Sequence, residues 1–305
     1  MNTGKVKLQD ISWDPPEEYK YLSPDRLTIG CPFYQAKWCW EEFSTSILDL
    51  DYPKKLIDII WVDNKSTDGM VEELNKFKRK YKREYSSIKI FSMPRARVGH
   101  KRWRTNIINC CNLIRTKRDQ STDLVLLGSD CIPPSNGLWK LSDMKYLKGD
   151  ICGGITIIFG ARSFSPGSQS VKIFPSFTGY YQLMDNGMFA LVPFAWDSKS
   201  GQLILEQSYM QKVIRVMAIG TGFCLITKEV LDKISWKPDM QYGEDLRFCY
   251  DAHNLGFNIY MDTSLWYDHL HYRYIRMLTK KDGKIISWKV KFLGNNTKRT
   301  RWSYE

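Results

Sequence analysis

Several familiar signatures are missing from this 305-residue chain, and each absence narrows the field. None of the eight cysteines (Cys31, Cys39, Cys110, Cys111, Cys131, Cys152, Cys224, Cys249) pairs with another in C-x-x-C spacing, which argues against a zinc ribbon or finger. Most of them lie in apolar runs, where cysteine behaves as a small hydrophobe, so a reducing compartment without disulfides is expected. No apolar run approaches the roughly 20 residues that cross a bilayer. The longest, residues 151–161, is broken by Gly153, Gly154 and Gly160. Residues 1–24 are polar and charged, unlike a signal peptide, so a cytoplasmic location is expected. The Asn295-Asn296-Thr297 acceptor pattern loses its weight with that. No G-x-G-x-x-G follows the first strand-like segment, which argues against a nicotinamide dehydrogenase. Histidine is scarce, with four in the chain.

Acidic residues are in the minority, 33 against 45 Lys and Arg, and the excess is localised. Residues 72–118 carry 15 basic and 3 acidic side chains, and residues 271–305 carry 10 and 2. With a formal net charge of +12, the rest of the chain is mildly acidic. Two basic regions on an acidic body suit an anionic partner: phosphates, nucleic acid or a membrane surface. For residues 76–83 a solvated helix face is the simpler reading.

Hydrophobic patterning alternates strand and helix. Leu27 to Cys31 reads as a strand stopped by Pro32, and Ala36 to Leu50 as a helix. Leu56 to Val62 is a second strand. Thr67 to Tyr85 is a second helix, with Val71, Leu74, Phe77 and Tyr81 at helical spacing. Ile88 to Phe91 is a strand and residues 101–117 a helix. Asp123 to Leu127 is a continuous apolar run, as in a buried parallel strand. Later come a strand near Gly222 to Thr227, a short helix from Lys228 and a helix from Gly243 to Leu255. That last helix carries Leu246, Cys249, Ala252 and Leu255 on one stripe. A strand at Asn258 to Met261 and a basic, aromatic tail follow. The alternation predicts an α/β fold, with a mostly parallel, Rossmann-like sheet flanked by helices. Residues 1–24 read as an extension, 25–272 as one domain and 273–305 as the tail. Within the domain, 25–134 form a nucleotide half and 135–272 an acceptor half.

Four places could carry chemistry. Ile59-Ile60-Trp61-Val62 stops at Asp63, followed by Asn-Lys-Ser-Thr-Asp-Gly. Ligands of open α/β sheets bind beyond the carboxyl ends of strands, where Asp63 could accept from a base N–H or a ribose hydroxyl. Asp63 and Thr67 could equally cap the next helix. Gly128-Ser129-Asp130 ends the fourth strand, so Asp130 is a candidate ligand for Mg²⁺ or Mn²⁺ on a diphosphate. Glu244 and Asp245 open a helix, where the dipole favours acids and where a carboxylate could also act as general base. His269 and His271 stand two apart after a strand and would share one face, suiting a metal. The basic loop from Arg95 to Arg104 leads into a helix and could hold a diphosphate.

Taken in order, these pieces resemble a glycosyltransferase family 2-like enzyme with the GT-A fold. The elements are Pro-Phe-Tyr after the first strand, Val-Asp-Asn-Lys-Ser-Thr-Asp-Gly, a strand ending in Asp130, Gly-Thr-Gly-Phe-Cys-Leu-Ile, Gly-Glu-Asp and Asp-His-Leu-His. The resemblance spans residues 25–272. It implies that Pro32, Tyr34 and Asp63 line a base and ribose pocket, and that Arg104 lies near the donor phosphates, with Ser129 beside Asp130. It implies that Asp130 is the surviving acid of an Asp-x-Asp motif, completed as a metal site by His269 or His271. It implies that Asp245, beside Glu244, is the base that activates an acceptor hydroxyl for inverting displacement. The expected co-substrate is a UDP- or GDP-type nucleotide-sugar, and the expected cofactor Mn²⁺ or Mg²⁺. The acceptor would be a glycan, a lipid-linked sugar or a protein. The tail could rest on the inner membrane face, and no nucleic-acid partner is expected.

The sequence departs from the family twice. Gly128 replaces the first acid of Asp-x-Asp, and Arg102-Trp103-Arg104-Thr105-Asn106 stands where Ala-Arg-Asn is common. Retaining chemistry on the same fold, and a basic nucleic-acid-binding α/β protein, are the alternatives.

Overall fold

The computed structural model describes residues 10–11, 24–93, 103–163, 171–178, 180–183, 189–191, 195–197, 202–204, 213–238, 243–270, 275–281 and 284–291. One large sheet organises them. At its heart, Leu27–Phe33 lies between Ile57–Asp63 and Asp123–Leu127, parallel to both, and Ser87–Ser92 extends the parallel set. On the other side of Asp123–Leu127, the sheet continues with antiparallel Phe223–Ile226 and then Ile151–Ser163. Ile259–Trp266 is parallel to that last strand. Val213–Val216 and Asp10–Ile11 complete that side, and Val171–Thr178 pairs separately with Ile151–Ser163. All strands of this sheet run one way except Val171–Thr178, Val213–Val216 and Phe223–Ile226.

Side chains alternate across the sheet with the period of two that a pleated strand imposes. Ile59, Trp61, Val125, Leu127 and Leu225 face one core, while Ile60, Val62, Leu124, Leu126 and Ile226 face the other. The first core is covered by α1 (Trp40–Leu48), α2 (Met70–Tyr81) and α4 (Gly137–Tyr146), through Phe43, Ile47, Leu74, Phe77, Leu138 and Leu141. The second is covered by α3 (Trp103–Lys117), α5 (Lys228–Lys233) and α6 (Glu244–Asn254), through Ile108, Ile114, Val230, Leu231, Phe248 and Cys249. Each fully buried Leu, Ile or Phe contributes about 1.5–3 kcal/mol. Gly30 lets α3 lie close on the sheet, because a β-carbon there would collide with Ile114 and Leu124.

Several expectations need correction. Pro32 does not end the first strand, which continues through Phe33 opposite Asp63. Gly30 is the last residue paired to Asp123–Leu127, so proline's missing donor falls beyond that ladder. Asp123–Leu127 is fully buried, yet parallel on one side only. The second helix starts at Met70 rather than Thr67, and Met70 takes the buried place expected of Val71. Leu255 is 57 % exposed, and Phe248 fills the core from α6 instead. All eight cysteines are buried and free. Within the tail, Ile275–Lys281 and Lys284–Lys291 pair as an antiparallel hairpin. The side chains of residues 174–196 lie outside the described residues.

Candidate active site at the carboxyl edge of the sheet

Asp63 is 1 % exposed and closes its strand where the chain must turn. The Ser66 N–H donates to both of its carboxylate oxygens, at 3.3 and 3.2 Å. Its backbone carbonyl accepts from Met93, and Phe33 accepts from Asn64, each at 2.8 Å. Lys65 takes a left-handed conformation (φ 60°) to make this turn. The capping role lies elsewhere: Asp68 accepts from Met70 at 3.1 Å, at the start of α2, and from Lys37 at 2.9 Å. Gln35, itself left-handed (φ 51°), exchanges two 2.9 Å hydrogen bonds with Thr67. These bonds tie the end of the first strand to the Asp63 turn. Tyr34 stands out between them, 60 % exposed, and Pro32 is half-buried. Gln35, Lys37, Trp38 and Asp68 line an open cleft of about 400 Å³ beside the turn.

Asp130 sits in a tight turn closed by the Cys131 N–H donating to the Gly128 carbonyl at 3.0 Å. Immediately afterwards Cys131–Ile132 pairs antiparallel with Asp268–His269, and Leu270 donates to the Asp130 carbonyl at 2.6 Å. This short ladder places His269 Nε2 3.6 Å from Asp130 Oδ2. Both side chains remain partly open to solvent, 38 % for Asp130 and 24 % for His269. The structure also explains the absent first acid. A β-carbon at Gly128 would lie 2.9 Å from Cys131 Sγ and 3.2 Å from Asp130 Oδ1, so a larger residue would displace both. Ser129 is half-buried and its carbonyl accepts from the Cys39 thiol at 3.4 Å.

Glu244 and Asp245 occupy the first turn of α6, both half-buried. Gly243 before them has φ 101° and ψ 164°, a conformation essentially reserved for glycine. Asp245 Oδ1 accepts from Leu246 N at 2.8 Å.

The thiols beneath this edge report its charge. Burial pushes Cys110 up to about 12, with the Asp63 charge adding to it. Burial raises Cys111 further, with Cys110 and then Glu244 adding. Burial pushes Cys249 up to about 12, offset in part by its hydrogen bond with the Ile219 backbone, and Asp245 adds to the rise. Cys39 is pushed up to about 12 by burial and then by Asp130. Cys31 and Cys131 also rise by burial, with Asp130 contributing to each. These thiols lie in both cores, Cys31, Cys39 and Cys131 on one face of the sheet and Cys110, Cys111 and Cys249 on the other.

Asp130 and His269 lie 3.6 Å apart, Asp63 closes its strand, and Glu244 and Asp245 open α6. His271 and residues 95–102 lie outside the described residues, as does the Arg104 side chain, although Arg104 belongs to the first turn of α3. Sequence reasoning missed Gln35 and Asp68, whose polar side chains at a strand end and a helix start were the available signal. It also missed Cys131, whose position next to Asp130 was its only mark.

As a metal site, the donor set is chemically coherent. One carboxylate oxygen and one imidazole nitrogen, near each other and both solvent-accessible, suit Mn²⁺ when phosphate oxygens and water complete the shell.

No protein-family model matches the sequence, and a search of curated proteins gives no match. Solved structures do match by shape. GalNAc-T7 with UDP, GalNAc and Mn²⁺ aligns with a TM-score of 0.54 at 16 % identity, covering 80 % of this chain and 43 % of that one. The mannosyltransferase PcManGT from Pyrobaculum calidifontis, in complex with GDP-Man and Mn²⁺, aligns at 0.51 and 13 % identity, covering 81 % and 58 %. TarS residues 1–349 from S. aureus with UDP aligns at 0.50 and 13 % identity, covering 79 % and 59 %. This chain thus spans about half the length of those it matches. The shared architecture is the GT-A fold.

Proposed function

We propose that this GT-A chain is a nucleotide-sugar-dependent glycosyltransferase that passes a hexose to an acceptor hydroxyl with inversion at the anomeric carbon. The observation that carries this reading is the Asp130–His269 pair, assembled by a dedicated two-strand ladder at the carboxyl edge of the sheet. A GT-A sheet presents its donor ligand there. The ligands bound in the similar structures, UDP, GDP-Man and Mn²⁺, are of the chemistry this edge suits.

Pro32, Tyr34 and Asp63 receive the base and ribose. The Asp63 carboxylate is fixed by the Ser66 N–H and keeps lone pairs for a donor N–H or hydroxyl. Ser129, Asp130 and Arg104 face the diphosphate. Asp130 and His269, with His271, hold a divalent ion. That ion, when bound, supplies positive charge against the departing nucleoside diphosphate. Asp245, with Glu244 beside it, takes the proton of the acceptor hydroxyl as that oxygen bonds to the anomeric carbon. The bond from that carbon to the phosphate oxygen breaks, and its electron pair leaves with the diphosphate.

The acceptor is a glycan, a lipid-linked sugar or a protein, reached from the half of the chain after residue 134. We place the enzyme in the cytoplasm, with the basic segment 273–305 against the inner membrane face. Among the described residues no helix is long and apolar enough to cross a membrane. The basic face of α2 gives no separate support to nucleic-acid binding: Lys76 pairs with Glu73 at 3.0 Å and Lys80 lies over the Tyr81 ring.

Thermal-shift measurement against UDP, GDP, CMP and their sugars, with and without Mn²⁺, tests the reading. Stabilisation by one nucleotide, removed in Asp63→Ala, is expected. No response to any of them would overturn it. The anomeric configuration of the first product, read by NMR, decides inversion against retention.

A further inference from the structure

Beside Asp130 and His269 lies a third donor of a different chemical kind. The Cys131 sulfur, the Asp130 carboxylate and the His269 imidazole each place one ligand atom within 4.8 Å of the other two. The edge from His269 Nε2 to Asp130 Oδ2 is 3.6 Å, and the Cys131 thiol points at Asp130 Oδ1 over 3.8 Å. A tetrahedral ion bound at about 2.0–2.1 Å by nitrogen and oxygen and about 2.3 Å by sulfur sets neighbouring ligands roughly 3.3–3.6 Å apart. Those two contacts, made to the two different oxygens of the Asp130 carboxylate, are near that size, and with one ligand atom from each residue all three separations lie within 4.8 Å.

The sulfur is also held in place. Cys131 is 1 % exposed, and a β-carbon at Gly128 or Gly222 would come within 2.9 or 3.1 Å of it. Glycine at both positions therefore keeps side-chain atoms from crowding the sulfur. An oxygen and a nitrogen alone suit a hard ion with phosphate partners. Adding sulfur moves the preference along the first-row series from Mn²⁺ towards Co²⁺ and Zn²⁺.

We propose that Asp130, Cys131 and His269 form a three-ligand site for a thiophilic divalent ion of the zinc type, filled without nucleotide, which competes with the hard ion used by the donor. Only the competition rests on the glycosyltransferase reading; the binding itself does not. On binding, the sulfur–hydrogen bond breaks, its electron pair becomes the metal–sulfur bond and the proton leaves to solvent. The fourth position stays open to water or to a phosphate oxygen.

Cobalt(II) added to the nucleotide-free 305-residue chain is the test, because a cobalt–thiolate bond gives an intense near-ultraviolet charge-transfer band. The expected result is a band that saturates near one equivalent, decays when zinc is added and is missing in Cys131→Ser. His269→Ala leaves every sulfur in place, so it keeps the band at saturation while raising the cobalt midpoint at least about tenfold. This second variant decides the matter even if Cys131→Ser fails to fold. No band at saturating cobalt, a band undiminished in a folded Cys131→Ser, or an unchanged midpoint in His269→Ala overturns the site. If the band is absent while UDP or GDP with Mn²⁺ still stabilises the protein, the sulfur site falls and the transferase reading stands. A band without any nucleotide response gives the reverse.

Discussion

Asp63 ends one strand of the sheet and Asp130 lies in the turn that follows another, yet the protein finishes one and leaves the other open. Asp63 is buried, and a backbone N–H of its own turn holds both carboxylate oxygens. Asp130 is partly exposed, with a histidine at 3.6 Å and a weak thiol contact. Under the proposed function, the difference separates two kinds of binding. A pre-formed hydrogen-bonding group recognises a ligand without help. An exposed carboxylate beside an imidazole becomes a phosphate site only when a cation joins it.

Substitution should therefore split the two. Asp130→Ala is expected to remove Mn²⁺-dependent turnover by at least about 100-fold, since it deletes the single carboxylate of the pair. Asp63→Ala should weaken nucleotide binding whether or not metal is present, read by calorimetry. Equal metal dependence in both variants would erase the distinction. Asp245→Asn comes next. Loss of a general base lowers kcat by about 10²–10⁴-fold with donor binding kept. Full activity in that variant would remove Asp245 from its role.

Gly128→Ala should have a smaller effect, on stability rather than chemistry. The new methyl meets Cys131 Sγ and Asp130 Oδ1, at a cost of about 1–3 kcal/mol in denaturant unfolding. An unperturbed variant would show that the glycine does not shape the Asp130 turn.

A third carboxylate, Asp143 on α4, gives the counter-case to Asp63. It is 2 % exposed, and among the described residues neither of its oxygens has a hydrogen-bond partner. Burial, then the charge of Asp262, pushes it up to about 6. Its folded pKa lies above the unfolded one, so the folded state favours the protonated form. That stabilisation is complete below the ordinary aspartate range and is lost as pH rises through about 6. Asp143→Asn stays neutral throughout. It should match the wild type at pH 4 and exceed it at pH 8 by about 1–3 kcal/mol. A constant offset across that range would contradict the assignment.

Much of the fold was legible because buried strands advertise themselves. Ile59 to Val62 and Leu124 to Leu127 are apolar runs cut off by polar turns, and α2 and α6 carry apolar stripes. Local pattern could not show that Pro32 continues its strand, because that depends on where the neighbouring ladder ends. The candidate site was legible in part. The carboxylates stood at strand ends, but the closeness of His269 to Asp130 depends on a ladder between segments far apart in sequence. Cys131 looked like one more small apolar residue, since nothing local marks a sulfur that lies within 4.8 Å of a carboxylate and an imidazole. Gly128 read as a lost acid, whereas its neighbours show that the space is already taken by Cys131 and Asp130.

The most direct measurement is calorimetric titration of UDP and GDP into the wild type and His269→Ala, each with and without Mn²⁺. The Asp130–His269 pair should make one nucleotide bind at least about tenfold more tightly with Mn²⁺ in the wild type, and that gain should vanish in the variant. Nucleotide binding that ignores Mn²⁺, or a full Mn²⁺ gain that survives in His269→Ala, would contradict it.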